Sequence, residues 1–325
     1  MALHRNGMPC FSRPISRSTP KRCILGTIPA LTLAVLIMAV SPATASGKAE
    51  KPSSRKVPRR IISLGPINTE NVFLLGAGNR LIADTIYCVR PEAARHREKV
   101  GSLMEINIEK IIALRPDLVL ATGLTRPEQV RKLKSVGLRV VRFPKPDSFQ
   151  AICRQFIRLG TILCMEQRAE QVVAQARNQV RCVEGVVAGL PPRRVFLQVG
   201  ADPVFASVPG SFTNDYIRFG GGINIASGQS TGLFSTEKVV SLNPDVILIA
   251  VMGSESGIAA REKRRWMSFQ SMNAARTGRV YTLDPDMICS PSPLTFASAL
   301  KKIAGLIHPE AVRIIEERCS KANMN

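Results

Sequence analysis

Glu109-Lys110-Ile111-Ile112-Ala113-Leu114-Arg115-Pro116-Asp117-Leu118-Val119-Leu120 is echoed 128 residues later by Glu237-Lys238-Val239-Val240-Ser241-Leu242-Asn243-Pro244-Asp245-Val246-Ile247-Leu248. Each copy reads as a short amphipathic helix, stopped by a proline, that feeds a buried strand. Proline removes a backbone donor and clashes with the preceding turn, so a helix ends before it. The apolar run after each aspartate is short and rich in Val, Ile and Leu, as a strand covered on both faces is. A repeat at this distance is too long for a solenoid and predicts two similar lobes in one chain.

The duplication reaches beyond the twelve residues. Arg60-Ile-Ile-Ser-Leu-Gly65 reads as a strand, then a Gly-Pro turn and a helix from Asn68 to about Leu75, ending at Gly76-Ala-Gly78. Its counterpart is Arg194-Val-Phe-Leu-Gln-Val-Gly200, followed by a turn at Asp202-Pro203 and a helix from Phe212 to about Phe219, ending at Gly220-Gly-Gly222. Glycine just past a helix accepts the left-handed backbone at low cost. Gly137-Leu-Arg-Val-Val-Arg-Phe143 matches Gly278-Arg-Val-Tyr-Thr-Leu283. Each lobe then runs strand, helix, helix, strand, helix, strand, which predicts an α/β fold with a mainly parallel sheet.

Between the lobes no strand signal occurs. Ser148 to Cys164 is helical, with Ile152, Phe156 and Leu159 on one face. Met165 to about Val187 continues as a charged amphipathic helix, and Leu190-Pro191-Pro192 ends it. One long helix of this kind is a stiff connector that limits hinging. The resulting division is 1–45 leader, 46–58 flexible basic stub, 59–146 N-terminal lobe, 147–190 connecting helices and 191–325 C-terminal lobe.

Residues 1–23 hold five Arg/Lys and no acid, Ile24 to Val40 is predominantly apolar and uncharged, and Ala43-Thr44-Ala45 fits a small-residue cleavage site. This is the pattern of an export signal cut near Ala45. The remaining chain carries 40 Lys/Arg against 24 Asp/Glu, a net +16. The basic residues are scattered and aromatics are few, so no nucleic-acid module is predicted. Six cysteines follow the leader: Cys88, Cys153, Cys164, Cys182, Cys289 and Cys319. An exported location permits disulfides, but sequence leaves their pairing open. Those at 153, 164 and 182 read most simply as buried small apolar residues.

No catalytic constellation stands out. There is no nucleophile elbow, no phosphate loop and no His-Glu metal motif, and Gly220-Gly-Gly222 follows a helix rather than a strand. A two-lobe exported α/β chain of this kind points to ligand capture in a cleft, at the carboxyl ends of parallel strands.

Arg60-Ile-Ile-Ser-Leu with Asn68-Thr69-Glu70, Asn107-Ile-Glu109-Lys-Ile-Ile-Ala-Leu-Arg-Pro-Asp117, and Arg194-Val-Phe-Leu-Gln-Val-Gly-Ala-Asp202-Pro-Val-Phe205 with Gly221-Gly-Ile-Asn224 resemble the helical-backbone (class III) periplasmic solute-binding proteins. These serve ABC importers of cobalamin, haem and ferric siderophores, and the likeness covers roughly residues 58–310. The resemblance implies two Rossmann-like lobes with mainly parallel sheets, joined by one long helix, with the ligand cleft between them. It implies a monomer in the periplasm, working with an ABC permease and its ATPase, with no resident cofactor or metal; folds of this kind also host metal-cluster enzymes, and the export leader and the lack of a Cys/His cluster favour the binding role over that alternative. An acidic residue on each lobe docks on permease arginines in that family; the matching positions are Glu109 and Glu237. Charge-assisted contacts to arginine are strong and directional.

Candidate ligand-binding residues lie on the loops after the strands: Pro66, Tyr87, Cys88, Arg90 and Gly123 in the N-terminal lobe, and Asp202, Phe205, Met252, Asp286 and Met287 in the C-terminal lobe. Tyr87 offers a flat apolar face and a hydroxyl, suited to a corrin or porphyrin. Arg90 is placed to pair with an anionic group. Cys88 and Cys289 fall one per lobe in cleft-facing loops, as inert thiols or as contacts to ligand. Where the cobalamin-binding pattern carries a tryptophan over the ligand, this chain has Met287. The single tryptophan, Trp266, reads as core. Few cations converge in these loops, which disfavours a trianionic siderophore.

Overall fold

A computed structural model describes residues 57–252 and 257–321. The leader and most of the basic stub lie outside the described residues. In the N-terminal lobe, β1 (Ile61–Ser63), β2 (Leu81–Asp84), β3 (Glu98–Lys99), β4 (Leu118–Ala121) and β5 (Val140–Arg142) form one sheet in the order β3-β2-β1-β4-β5, every pair parallel. The helices between them are α1 (Pro66–Leu74), α2 (Glu92–Arg95), α3 (Ile108–Ala113) and α4 (Pro127–Ser135). The order reverses direction between β1 and β4, and the crevice outside the carboxyl ends of such a pair is where doubly wound sheets bind ligands.

The C-terminal lobe repeats this plan around β6 (Arg193–Gly200). On one side lie β9 (Val246–Ile249) and β10 (Val280–Thr282), both parallel. The other side is shared: β8 (Gly222–Asn224) pairs parallel with the start of β6, and β7 (Phe205–Ala206) pairs antiparallel with its end. The intervening helices are α7 (Phe212–Phe219), α8 (Thr236–Leu242), α9 (Ile258–Met267) and α10 (Asn273–Arg276). The short strands β2, β3, β7 and β8 are additions to the strand-helix-helix pattern expected from sequence.

The repeated segment builds both lobes by the same contacts. Asn107 caps α3 by accepting from the Lys110 N–H at 2.8 Å, and Ser235 caps α8 by accepting from the Lys238 N–H at 3.2 Å. Each helix ends shortly before its proline, and the residue directly preceding the proline is left-handed: Arg115 (φ 46°) and Asn243 (φ 43°). Asp117 then accepts from the backbone N–H groups of Arg59 (2.8 Å) and Arg60 (3.0 Å), and Asp245 accepts from that of Arg194 (2.8 Å). The aspartate therefore pins the start of the central strand to its neighbour. Along β4 and β9 the side chains alternate: Leu118, Leu120, Val246 and Leu248 enter one shared cluster, while Val119 and Ile247 face separate outer cores. Period-two alternation within a wholly apolar run is what a sheet covered on both faces requires.

The shared cluster is the seam of the molecule. It combines the inner faces of both sheets with α5 (Phe149–Leu163), α6 (Glu166–Val187), α7 and α12 (Pro293–Ile307). Phe296 stacks on Phe149 at 4.6 Å and on Tyr216 at 4.2 Å between ring centroids. The connector is an antiparallel hairpin of the two helices read from sequence, in which α6 is the one long helix expected and α5 folds back along it. Cys164 takes the left-handed conformation (φ 57°) after α5, and the Met165 N–H returns to the Gly160 carbonyl at 2.8 Å. A side-chain carbon on Gly160 would meet Ala169 Cβ at 2.4 Å, so glycine permits the close approach of the two arms. Arg177 reaches back to Gln150 at 3.3 Å.

The reading of the three connector cysteines as buried thiols holds only for Cys153. Cys164 is exposed, and Cys182 is bonded to Cys319, joining α6 to the C-terminal α13 (Val312–Lys321). Trp266 is fully buried, as expected, with its indole N–H donated to Gln198 Oε1 at 2.7 Å.

Candidate ligand-binding cleft

A cavity of about 220 Å³ opens between the lobes at the reversal point of the first sheet. Its N-terminal wall comes from the loop after β1 (Pro66), the loop after β4 (Gly123, Leu124) and the loop after β5 (Phe143 to Pro146). Phe212, at the start of α7, and Cys289 and Ser290 close it from the other lobe. The lining is mainly apolar. Gly123 has a steric reason to be there: a side-chain carbon would meet the Lys145 backbone N at 2.8 Å, so only glycine lets the two loops touch. Lys145, exposed at this wall, makes no ion pair with any described residue.

The predicted residues fall into three groups. Pro66 and Gly123 line the cavity. Tyr87, Phe205 and Met252 stand 47%, 42% and 40% exposed on segments that follow β2, β6 and β9, apolar surface that a soluble fold does not need for its core. Arg90 and Asp286 meet where the lobes touch, Arg90 Nη2 donating to the Asp286 carbonyl at 2.8 Å, and the next residue, Met287, is half-buried on α11 (Pro285–Cys289). The guanidinium also pairs with Glu70, at 2.9 Å. Asp202 stands apart, in an exposed ion pair with Arg261 at 2.6 Å.

The two cysteines differ. Cys88 is fully buried against the hydroxyls of Thr69 (3.1 Å) and Thr85 (3.3 Å); burial, and then the charge of Asp84, push its pKa up. Cys289 reaches the cavity, but burial pushes its thiol up to about 12. Thiolate is the form that ligates metals, so neither sulfur is a ready ligand at neutral pH. No group of three or more His, Cys, Asp or Glu among the described residues is arranged to hold a metal ion.

Both proposed docking glutamates are exposed at the second position of their helices, Glu109 on α3 and Glu237 on α8. Hydrogen bonds from its own backbone N–H and then from Ser235 hold the Glu237 carboxyl below the usual range. Sequence reasoning passed over the wall formed by Phe143, Pro144, Lys145 and Pro146. The signal was present, since this loop also follows a parallel strand beside the reversal point. Phe212 gave no such signal, lying on a helix.

A family model described as periplasmic binding protein matches residues 61–287. The vitamin B12-binding protein of Yersinia pseudotuberculosis is 31% identical over 202 residues, covering 61% of this chain and 71% of that protein. The ABC transporter substrate-binding lipoprotein YvrC of Bacillus subtilis is 27% identical over 267 residues, covering 80% of this chain and 83% of its own. Among solved structures, a periplasmic heme-binding protein from Roseiflexus gives a TM-score of 0.69 at 25% identity, over 78% of this chain and 99% of that one. The periplasmic vitamin B12 binding protein of Vibrio cholerae gives 0.65 at 24% identity, over 80% and 99%. With the repeated lobes, the helical seam and the interlobe cavity in place, the chain belongs to the periplasmic binding protein family, in its helical-backbone class of ABC-importer solute-binding proteins.

Proposed function

We propose that this protein captures a corrinoid, cobalamin, in the interlobe cleft and delivers it to the permease and ATPase of an ABC importer at the inner membrane. Glu109 and Glu237 would dock the two lobes on permease arginines, after export and cleavage near Ala45. The observation that carries the reading is the cleft itself: an apolar cavity at the reversal point, with aromatic and methionine side chains exposed on the strand ends around it and Lys145 as the one cation among the described residues that line it. Such a wall suits a large flat ligand of low net charge and offers little to a trianionic siderophore. The 31% identity to a vitamin B12-binding protein supports the same ligand. Haem is the second reading, favoured by the exposed Tyr87 hydroxyl, a group able to ligate haem iron. The cavity is smaller than the ~300–1,000 Å³ of usual ligand sites, so capture of either ligand requires the lobes to part.

The test has two arms. Purified protein is titrated with cyanocobalamin, haemin and a ferric siderophore, following absorbance and calorimetric heat. Cobalamin is expected to bind most tightly; saturation by haemin alone would overturn the ligand. The doubly reversed variant Glu109→Lys/Glu237→Lys is expected to bind ligand with affinity within about twofold of wild type and to lose at least about tenfold in uptake, since both docking pairs become repulsive. Unchanged uptake would remove the docking role.

A further inference from the structure

Glu70 lies on α1, is 8% exposed, and gathers donors from both lobes. Its Oε1 accepts from the hydroxyl of Ser292 at 2.5 Å and from that of Thr295, at the start of α12. Its Oε2 accepts from Arg90 Nε at 3.2 Å, with Nη2 at 2.9 Å. Arg90 in turn donates to the carbonyls of Asp286 (2.8 Å) and Ser290 (3.1 Å). Apart from the Glu70–Arg90 pair itself, every one of these bonds crosses between the lobes. A carboxylate and a guanidinium removed from bulk water are held there only because each satisfies the other and the facing groups.

The position of the pair gives it a consequence. Arg90 shares its loop with Tyr87. The carbonyls it grips belong to the segment that carries Cys289 and Ser290 to the cleft. Two ligand-facing loops, one from each lobe, are thus tied at one point, with the cavity beside it. Arg90 Nη1 and the Tyr216 hydroxyl are buried near this junction without a partner among the described residues, so the junction is not fully satisfied in the closed arrangement. Behind it the helical seam is continuous and apolar, which leaves the junction as the polar, breakable side-chain contact between the two lobes among the described residues.

We infer that Glu70 and Arg90 form an interlobe latch that sets the width of the cleft and so selects ligands by size. This rests on the reading of the cleft as the ligand site. Neither residue need touch the ligand; both position the loops that do. With the latch closed the cleft is narrow, and a bulky ligand must spend more binding energy than a thin one to part the lobes. A variant without the latch therefore gains affinity for bulky ligands relative to thin ones.

The test uses the full mature chain with spin labels at Lys132→Cys and Lys263→Cys, exposed positions one per lobe, in a Cys164→Ser background. Pulsed electron–electron distances are measured without ligand in the latched protein and in Glu70→Gln, Arg90→Met and Thr295→Val. The latched protein is expected to give one narrow distribution, and Arg90→Met a longer and broader one. Arg90→Lys, which keeps the charge but not the forked grip, is expected to fall between them. The affinity ratio of cyanocobalamin to haemin is expected to rise at least fivefold in Arg90→Met. An unchanged distribution in Arg90→Met and Thr295→Val overturns the latch, and a changed distribution with an unchanged ratio overturns its role in selection. Thr295→Val removes one hydroxyl only and stands in if the charge variants fail to fold. If the labelled wild type binds none of the ligands, the proposed function fails, and the ligand-free distances still decide the latch.

Discussion

In the N-terminal lobe Asp117 receives the backbone N–H groups of Arg59 and Arg60; in the C-terminal lobe Asp245 receives that of Arg194 on one oxygen and the Asn273 side-chain amide, at 2.6 Å, on the other. Both lobes stop the preceding helix at a left-handed residue and cap it at the same offset. The likeness ends at the carboxyl edges of the sheets. Beside the first central strand, β2 ends in Asp84, buried and paired with Lys99 at 2.6 Å. The second central strand instead meets an antiparallel hairpin strand that exposes Phe205, backed by a buried Gln198–Glu262 contact at 2.9 Å. The amino-terminal ends of the strands keep the shared frame, while the carboxyl-terminal ends, where the cleft lies, have diverged. A ligand between the lobes therefore meets two unlike walls on one repeated scaffold.

The sharpest test of the difference is Asp84, whose chemistry belongs to the first lobe. Burial outweighs the attraction of Lys99 and raises its pKa from 3.8 to about 6. The folded chain thus keeps a proton that the unfolded chain releases near pH 4. Stability from this group is fully present below pH 4 and is lost as pH rises through about 6, by at most about 3 kcal/mol. Urea unfolding from pH 4 to 7 is expected to show this fall in the wild type relative to Asp84→Asn. Parallel pH profiles would place the effect elsewhere.

The frame itself is tested by Asp117→Ala and Asp245→Ala. Each removes charge-assisted hydrogen bonds at the root of a sheet, so each is expected to lower unfolding stability by about 2 kcal/mol. Similar losses uphold the equivalence of the lobes; a loss confined to one breaks it. The smallest effect concerns the helix stops. Asparagine tolerates the left-handed backbone better than arginine, so Arg115→Asn is expected to raise stability by roughly 0.5 kcal/mol. The converse Asn243→Arg is expected to lower it by about 1 kcal/mol, because Asn243 Oδ1 also accepts from the Asn273 N–H at 2.7 Å. Thermal midpoints of the two variants decide this.

Much of the frame was legible because it rests on local rules. The stretch from Ser148 to Cys164 holds α5, Phe212 to Phe219 is helical, and Pro-Asp separates helix from strand as read. The two shortest edge strands were not legible. β3 and β7 are two residues long and carry no alternation to detect; their geometry comes from the neighbour they pair with. The break between α5 and α6 carries neither glycine nor proline, since the left-handed position is taken by Cys164. At the cleft, the rule that ligand loops follow strands located Pro66 and Gly123, and would have located Lys145 had β5 been followed by the same search. Arg90 was read as a free anion partner because nothing local announces that Glu70, Ser290 and Asp286 converge on it from 20 to 200 residues away.

The Cys182–Cys319 bond, at a sequence separation of 137, encloses almost the whole C-terminal lobe in a covalent ring hung from α6. The N-terminal lobe lies outside that ring. A protease that nicks a loop between these cysteines leaves both fragments tied together and able to refold side by side, whereas a nick among the N-terminal strands lets a fragment drift away. Damage to the two halves of an otherwise repeated molecule thus has different outcomes, and only an oxidising compartment provides the tether.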